Sequence, residues 1–211
     1  TNAISSGTPK AFIAGKSTLF DLYAQELLRM GVTPKQIQII KLEELENESL
    51  LDYKNLYQHI MDNLVPHEKN YVFLDEVQNV PDFQKAVRSL FEKGNIDLYL
   101  TGSNSKLQSG QWATSLAGRY IEIKMFPLSY KEFYETYSEE AKQNPDKIYA
   151  DYITYGSFPY ATRFIAQGSQ EAAKQIHTYI EGIFNTIILK DVMENMGIPE
   201  ESRLRRVIKF M

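Results

Sequence analysis

The sequence predicts an α/β fold: a three-layer core with a mainly parallel sheet, followed by a helical region. Three observations carry that expectation. Apolar runs at residues 37–42, 71–75 and 96–100 have the length and composition of buried strands, helical-period segments separate them, and no convincing strand follows Pro127. Strands joined through helices of about 10 to 15 residues imply right-handed crossovers, which place helices on both faces of a sheet.

The elements follow in order. Residues 15–30 carry Leu19, Leu22, Tyr23, Leu27 and Met30 at helical spacing and meet a stop at Gly31. A turn at Thr33-Pro34 leads into the β-branched run 37–42, and residues 50–64 have helical spacing that ends before Pro66. Residues 82–93 put Phe83, Val87, Leu90 and Phe91 on one face, and residues 120–125 are expected to add one more strand. After Pro127 the segments 131–137, 147–155, 170–196 and 200–210 read as helices, broken at Gly156-Ser157-Phe158-Pro159 and Gly197-Ile198-Pro199. The expected boundary therefore separates a core, 1–128, from a helical lid or linker, 129–211. The aromatics Phe126, Tyr130, Phe133, Tyr134 and Tyr137 are expected to pack beneath the end of the sheet. The final amphipathic segment, with Leu204, Val207, Ile208 and Met211, has no capping residue, so further chain is expected beyond it.

Composition narrows the function. With 43% hydrophobic and 24% charged residues, the chain is globular and not disordered. The absence of cysteine excludes a disulfide framework, a thiolate metal site and a cysteine nucleophile. No apolar stretch approaches the roughly 18 residues of a membrane-spanning helix. The opening TNAISSGTPK has no signal-like core, and the expected location is the cytoplasm. A net charge of −4 gives no overall drive toward nucleic acid. His59, His67 and His177 lack metal-ligand spacing, so no zinc site is expected. The basic residues Arg203, Arg205, Arg206 and Lys209 read first as a charged helix face, with phosphate contact as the other reading.

The most informative run is Tyr71-Val72-Phe73-Leu74-Asp75-Glu76. It is a buried strand that delivers two carboxylates to the carboxyl edge of the sheet, where open α/β sheets bind ligands. Asp75 suits Mg²⁺, which keeps several waters and takes few protein carboxylates. Glu76 suits the orientation or deprotonation of an attacking water. Alone, the pair reads equally well as a solvent-exposed turn.

Upstream stands Ala14-Gly15-Lys16-Ser17-Thr18, the second half of a phosphate-binding loop. Such a loop aims successive backbone N–H groups at a β-phosphate, sends its lysine to the β- and γ-phosphates, and gives the next hydroxyl to Mg²⁺. Gly15, Lys16, Ser17 and Thr18 fit that half. The first glycine is due at position 10, where Lys10 stands, and the apolar run Ala11-Phe12-Ile13 leaves Ala14 alone for a turn of about five residues. Two readings stay open: loop residues are missing between Ile13 and Ala14, or the loop is shortened and degenerate.

Two further segments reach toward the same chemistry. Leu100-Thr101-Gly102-Ser103-Asn104 brings hydroxyls and an amide just beyond a strand, where such a group can bond a γ-phosphate or a lytic water; an ordinary capped turn is the alternative. Gly118-Arg119-Tyr120 supplies an arginine that could stabilise a transferring phosphate in cis or from a neighbouring subunit, or simply be solvated or salt-bridged.

Taken together, AGKSTLF at 14–20, NYVFLDEVQNVPDF at 70–83, LYLTGSNSKL at 98–107, LAGRYIEIKMFPLSYKEFYE at 116–135, YGSFP at 155–159 and YIEGIFNTIILKDV at 179–192 resemble the AAA-type P-loop ATPase domain that precedes the domain of unknown function DUF4143 in bacterial and archaeal proteins. The resemblance implies a P-loop NTPase core, ATP and Mg²⁺ as cofactors, and hydrolysis coupled to movement of a C-terminal domain that opens near residue 170. It implies Lys16 and Ser17 as the Walker A lysine and hydroxyl, Asp75 and Glu76 as Walker B, Asn104 as the sensor-1 position, and a phosphate-sensing role for Arg119. The implied catalytic set is Lys16, Glu76, Asn104 and Arg119, with Gly15, Lys16, Ser17 and Thr18 on nucleotide and Ser17 and Asp75 on the metal. No base-reading motif separates ATP from GTP. A homo-oligomer is compatible with the sequence, no membrane is expected as partner, and the alternative is a non-hydrolysing P-loop module that binds a protein or nucleic acid.

Overall fold

The computed structural model describes residues 15–102, 119–165 and 170–185. They fall into two compact units, one of residues 16–123 and one that includes 124–185.

In the first unit, helix α1 (Lys16–Arg29) precedes three strands, β1 (Ile37–Lys41), β2 (Asn70–Asp75) and β3 (Ile96–Leu100), with α2 (Tyr53–Asp62) and α3 (Phe83–Phe91) in the crossovers. The strands form one parallel sheet in the order β1-β2-β3, with Ile37 opposite Tyr71 and Leu74 opposite Leu100. Side-chain alternation explains the layering. Phe73 turns to one face and packs with Phe20 and Leu27 of α1, and Tyr71 and Tyr99 join them there. Val72 and Leu74 turn to the other, against Leu56 and Ile60 of α2 and Val87 and Leu90 of α3. A strand buried on both faces reads as continuous apolar sequence, which is why β2 lacks polar alternation. This is the three-layer, mixed α/β core with a parallel sheet that the sequence predicts, and it is consistent with a P-loop NTPase-like core.

Local chemistry sets the ends of these elements. α1 stops where Gly31 takes φ +93°, with the Val32 N–H donating to the Leu27 carbonyl at 3.0 Å. The segment expected as one helix over 50–64 is two pieces. Leu45–Leu51 is 3₁₀, and α2 begins only after Asp52, whose carboxylate accepts from the N–H groups of Lys54 and Asn55 at 2.9 and 3.1 Å.

The strand expected at 120–125 is not formed: the backbone there belongs to no ladder among the described residues, and Ile121 is 91% exposed. Alternating apolar residues supply strand propensity, but a strand exists only with a neighbour to complete its hydrogen bonds.

The second unit is helical, with α4 (Tyr130–Glu135), α5 (Pro145–Tyr155), α6 (Pro159–Ile165) and α7 (Gln170–Ile183). Helix α6 was hidden by the break at Gly156-Ser157-Phe158-Pro159; the proline stands at its first position, where a missing N–H costs nothing. Phe133, Tyr137, Ile148, Ala161, Ile165 and Ile176 form a core of their own, joined by Tyr130 and Tyr134. Four of the five aromatics singled out after residue 125 thus belong to a core within the helical unit, and Phe126 is 76% exposed. The sequence readings at 186–211 lie outside the described residues.

Candidate functional site at the carboxyl edge of the sheet

Three chain segments meet where the strands end. The first is the start of α1. Gly15 sits at φ +71°, a left-handed conformation that suits glycine, and the helix begins at Lys16. Lys16 and Ser17 are half-buried and Thr18 is exposed. The Lys16 Nζ donates to the carbonyl of Gly102 at 2.8 Å.

The second segment is the end of β2. Asp75 is the last strand residue, 7% exposed, on the face shared by Tyr71 and Phe73, the face that α1 covers. Beyond it Glu76 adopts φ 56°, ψ 48°. For a residue with a Cβ this left-handed state costs about 1–2 kcal/mol, so the neighbouring hydrogen bonds must hold it. Its carboxylate accepts from the Gln78 amide.

The third segment, at the end of β3, supplies those bonds. The Thr101 hydroxyl donates to Asp75 Oδ1 and accepts from the Glu76 N–H at 3.0 Å. The Thr101 carbonyl accepts from the Val77 N–H at 3.0 Å, and its own N–H donates to the Leu74 carbonyl at 3.0 Å. Thr101 and Gly102 thus hold the acidic turn on one side and the Lys16 ammonium on the other.

A nucleotide–Mg²⁺ group fits the donors present. Among the described residues no three His, Cys, Asp or Glu side chains cluster to hold a metal unaided. Mg²⁺ in nucleotide sites uses one or two carboxylates, a hydroxyl and substrate phosphates. Asp75 offers such a carboxylate: Thr101 occupies Oδ1, and Oδ2 has no hydrogen-bond partner among the described residues.

Of the residues singled out in the sequence, the structure brings Lys16, Asp75 and Glu76 to one edge, with Gly15, Ser17 and Thr18 at the start of α1. Asn104, and the junction of Ile13 with Ala14, lie outside the described residues. Arg119 is not brought to this edge. Its guanidinium pairs with Glu92 at 3.0 Å and lies over the Phe91 ring, at the end of α3 that leads into the amino end of β3. Five strand residues at about 3.3 Å each separate that end from the carboxyl edge. Within this chain Arg119 is therefore salt-bridged, one of the alternatives the sequence leaves open.

The sequence places the Thr101 hydroxyl just beyond a strand but does not show that it bonds Asp75 and Glu76, and it gives Gln78 no part in the site. Strand register was the available signal: Leu74 faces Leu100, so the next residue along, Thr101, is due beside Asp75.

Comparison with known proteins agrees with this architecture. The family model described as "AAA domain" matches residues 13–134. An uncharacterised protein of Haemophilus influenzae is 35% identical over 200 residues, covering 94% of this chain and 48% of the relative. Two uncharacterised proteins of Methanocaldococcus jannaschii are similar as well. One is 34% identical over 64% of this chain and 30% of its own length, the other 26% identical over 85% and 42%. The chain thus spans about half the length, or less, of these relatives. No solved structure matches it.

Proposed function

The chain belongs to the AAA domain family, and on that footing we propose that it binds ATP with Mg²⁺ at the carboxyl edge of its sheet and hydrolyses it. The observation that carries this reading is the convergence of Lys16 and Asp75, 59 positions apart in sequence, on the single dipeptide Thr101-Gly102. Membership of the family supports nucleotide binding by a P-loop ATPase-like core, and the donors at this edge match that use.

Each residue has a part in the proposed reaction. Lys16 exchanges the Gly102 carbonyl for the β- and γ-phosphate oxygens, and the Gly15 and Lys16 backbone together with the Ser17 and Thr18 hydroxyls face the phosphates. Asp75 and Ser17 would hold Mg²⁺, whose contribution when bound is to neutralise charge on the phosphate oxygens. Glu76 orients the attacking water and takes its proton, a role for which its carboxylate must leave Gln78. Asn104 is proposed to bond the γ-phosphate or that water. The core, taken as residues 1–128, would pass nucleotide state to the helical region 129–211, the opening of a DUF4143-like domain, as a movement.

Thermal unfolding of the full chain with and without Mg²⁺–ATP tests binding. Ligand at a hundred times its dissociation constant adds about 2.7 kcal/mol of stability. That shift is expected for the wild type and not for Lys16→Ala. Equal shifts for both proteins would remove Lys16 from the site, and no shift for either would end the proposal.

One sequence observation favours a second reading, a non-hydrolysing interaction or nucleic-acid-binding module: Lys10 stands where the first loop glycine is due, and the sequence leaves only Ala14 for a turn of about five residues. DNA binding that falls steeply with salt but is indifferent to nucleotide and to Lys16→Ala would support it.

A further inference from the structure

Among the described residues at the sheet's carboxyl edge, the Thr101 side chain joins both acidic residues, and neither nucleotide binding nor water activation explains why a hydroxyl stands there. It is 7% exposed, so its oxygen is desolvated and its hydrogen bonds are obligatory. A hydroxyl has one proton and two lone pairs. Here the proton goes to Asp75 Oδ1 and one lone pair takes the Glu76 N–H at 3.0 Å.

Both consequences are geometric. Holding Oδ1 restricts rotation of the Asp75 carboxylate and leaves Oδ2 without a hydrogen-bond partner among the described residues. Holding the Glu76 N–H stabilises a backbone at φ 56° that the residue would otherwise leave. The same atom therefore sets the aim of the first carboxylate and the starting point of the second.

We propose that Thr101 is a positioning residue of this site: its hydroxyl orients Asp75 toward the cation that accompanies the nucleotide, and locks the turn that presents Glu76. The inference rests on the nucleotide reading above and adds to it a residue that acts through Asp75 and does not touch substrate. Valine has nearly the same shape without the hydroxyl, and serine keeps the hydroxyl without the methyl group, so the two substitutions separate chemistry from packing.

The test is ATP affinity of the full chain, measured first in EDTA and then across a Mg²⁺ titration, for the wild type, Thr101→Val and Thr101→Ser. Thr101→Val is expected to bind ATP in EDTA as the wild type does, but to need about 10- to 100-fold more Mg²⁺ for the metal-dependent gain, the range seen when a ligand's supporting hydrogen bond is removed. Thr101→Ser should restore most of the wild-type Mg²⁺ response. Should Thr101→Val not fold, Thr101→Ala takes its place with the same expectation. An unchanged Mg²⁺ response in the hydroxyl-less variant would overturn the proposal, and so would an equal loss with and without Mg²⁺, which is the signature of a packing role. A wild type that binds ATP but shows no Mg²⁺-dependent gain overturns this proposal and the metal part of the nucleotide reading, and leaves ATP binding standing. A wild type that binds no ATP overturns the nucleotide reading and this proposal with it.

Discussion

The ammonium of Lys16 donates to the carbonyl of Gly102 at 2.8 Å, joining the first turn of α1 to the end of β3 across 86 positions of sequence. A bond with a charged donor contributes at most about 1.5–3 kcal/mol net to folding, and less where it is half-exposed. Lys16→Met should accordingly lower the stability of the full chain by no more than that in urea unfolding, while abolishing the ATP-induced shift. A loss of several kcal/mol would mean that Lys16 is structural first.

The packed centre between the sheet and its two crossover helices should behave differently. Leu56 is wholly buried among Val72, Leu74, Val87 and Leu90. Leu56→Ala removes that packing far from the nucleotide edge, with an expected cost of about 2–5 kcal/mol. Denaturant unfolding checks the magnitude, and a cost under about 1 kcal/mol would contradict the burial of the Val72–Leu74 face against α2 and α3.

Helix α2 owes its start to one carboxylate. Asp52 accepts from both Lys54 and Asn55 N–H groups, so Asp52→Ala should cost about 1 kcal/mol, whereas Asp52→Asn, which keeps an acceptor, should cost less. Thermal melts of the three proteins decide it; equal melting of the alanine and asparagine variants would contradict the capping account.

The helical unit predicts an alkaline limit. Burial first, then the Asp151 carboxylate, pushes the Tyr137 phenol well above its ordinary value near 10, and its hydroxyl donates to Asp151 Oδ2 at 3.0 Å. A phenol harder to ionise when folded adds stability that is complete below about pH 10 and is lost as pH rises further, because the unfolded chain gives up the proton first. Stability measured from pH 9 upward should fall less steeply for Tyr137→Phe than for the wild type. Parallel curves would show that Tyr137 is not linked to folding.

Much of this was legible in the sequence, for reasons visible in particular residues. β2 could be read because Tyr71 to Leu74 are apolar on both faces and end in charge. α1 could be read because Gly31 punctuates it. Residues 120–125 were misread because alternation reports propensity but not the presence of a partner strand. The aromatics after Pro127 showed helical spacing, but spacing cannot say which core they enter, and they enter their own. At the candidate site, residue type and order single out Lys16, Asp75 and Glu76, and the structure brings these three to one edge. The bond from Thr101 to Asp75 could not be read, because it comes from register across the sheet, a relation between positions 26 apart that no local pattern carries.

Glu76→Gln, with binding and turnover measured on the same full-length protein, decides whether this edge hydrolyses ATP through Glu76 as proposed. The expected result is wild-type ATP affinity in the presence of Mg²⁺, with turnover lowered by at least about 100-fold. Unchanged turnover, or loss of binding together with turnover, would contradict it.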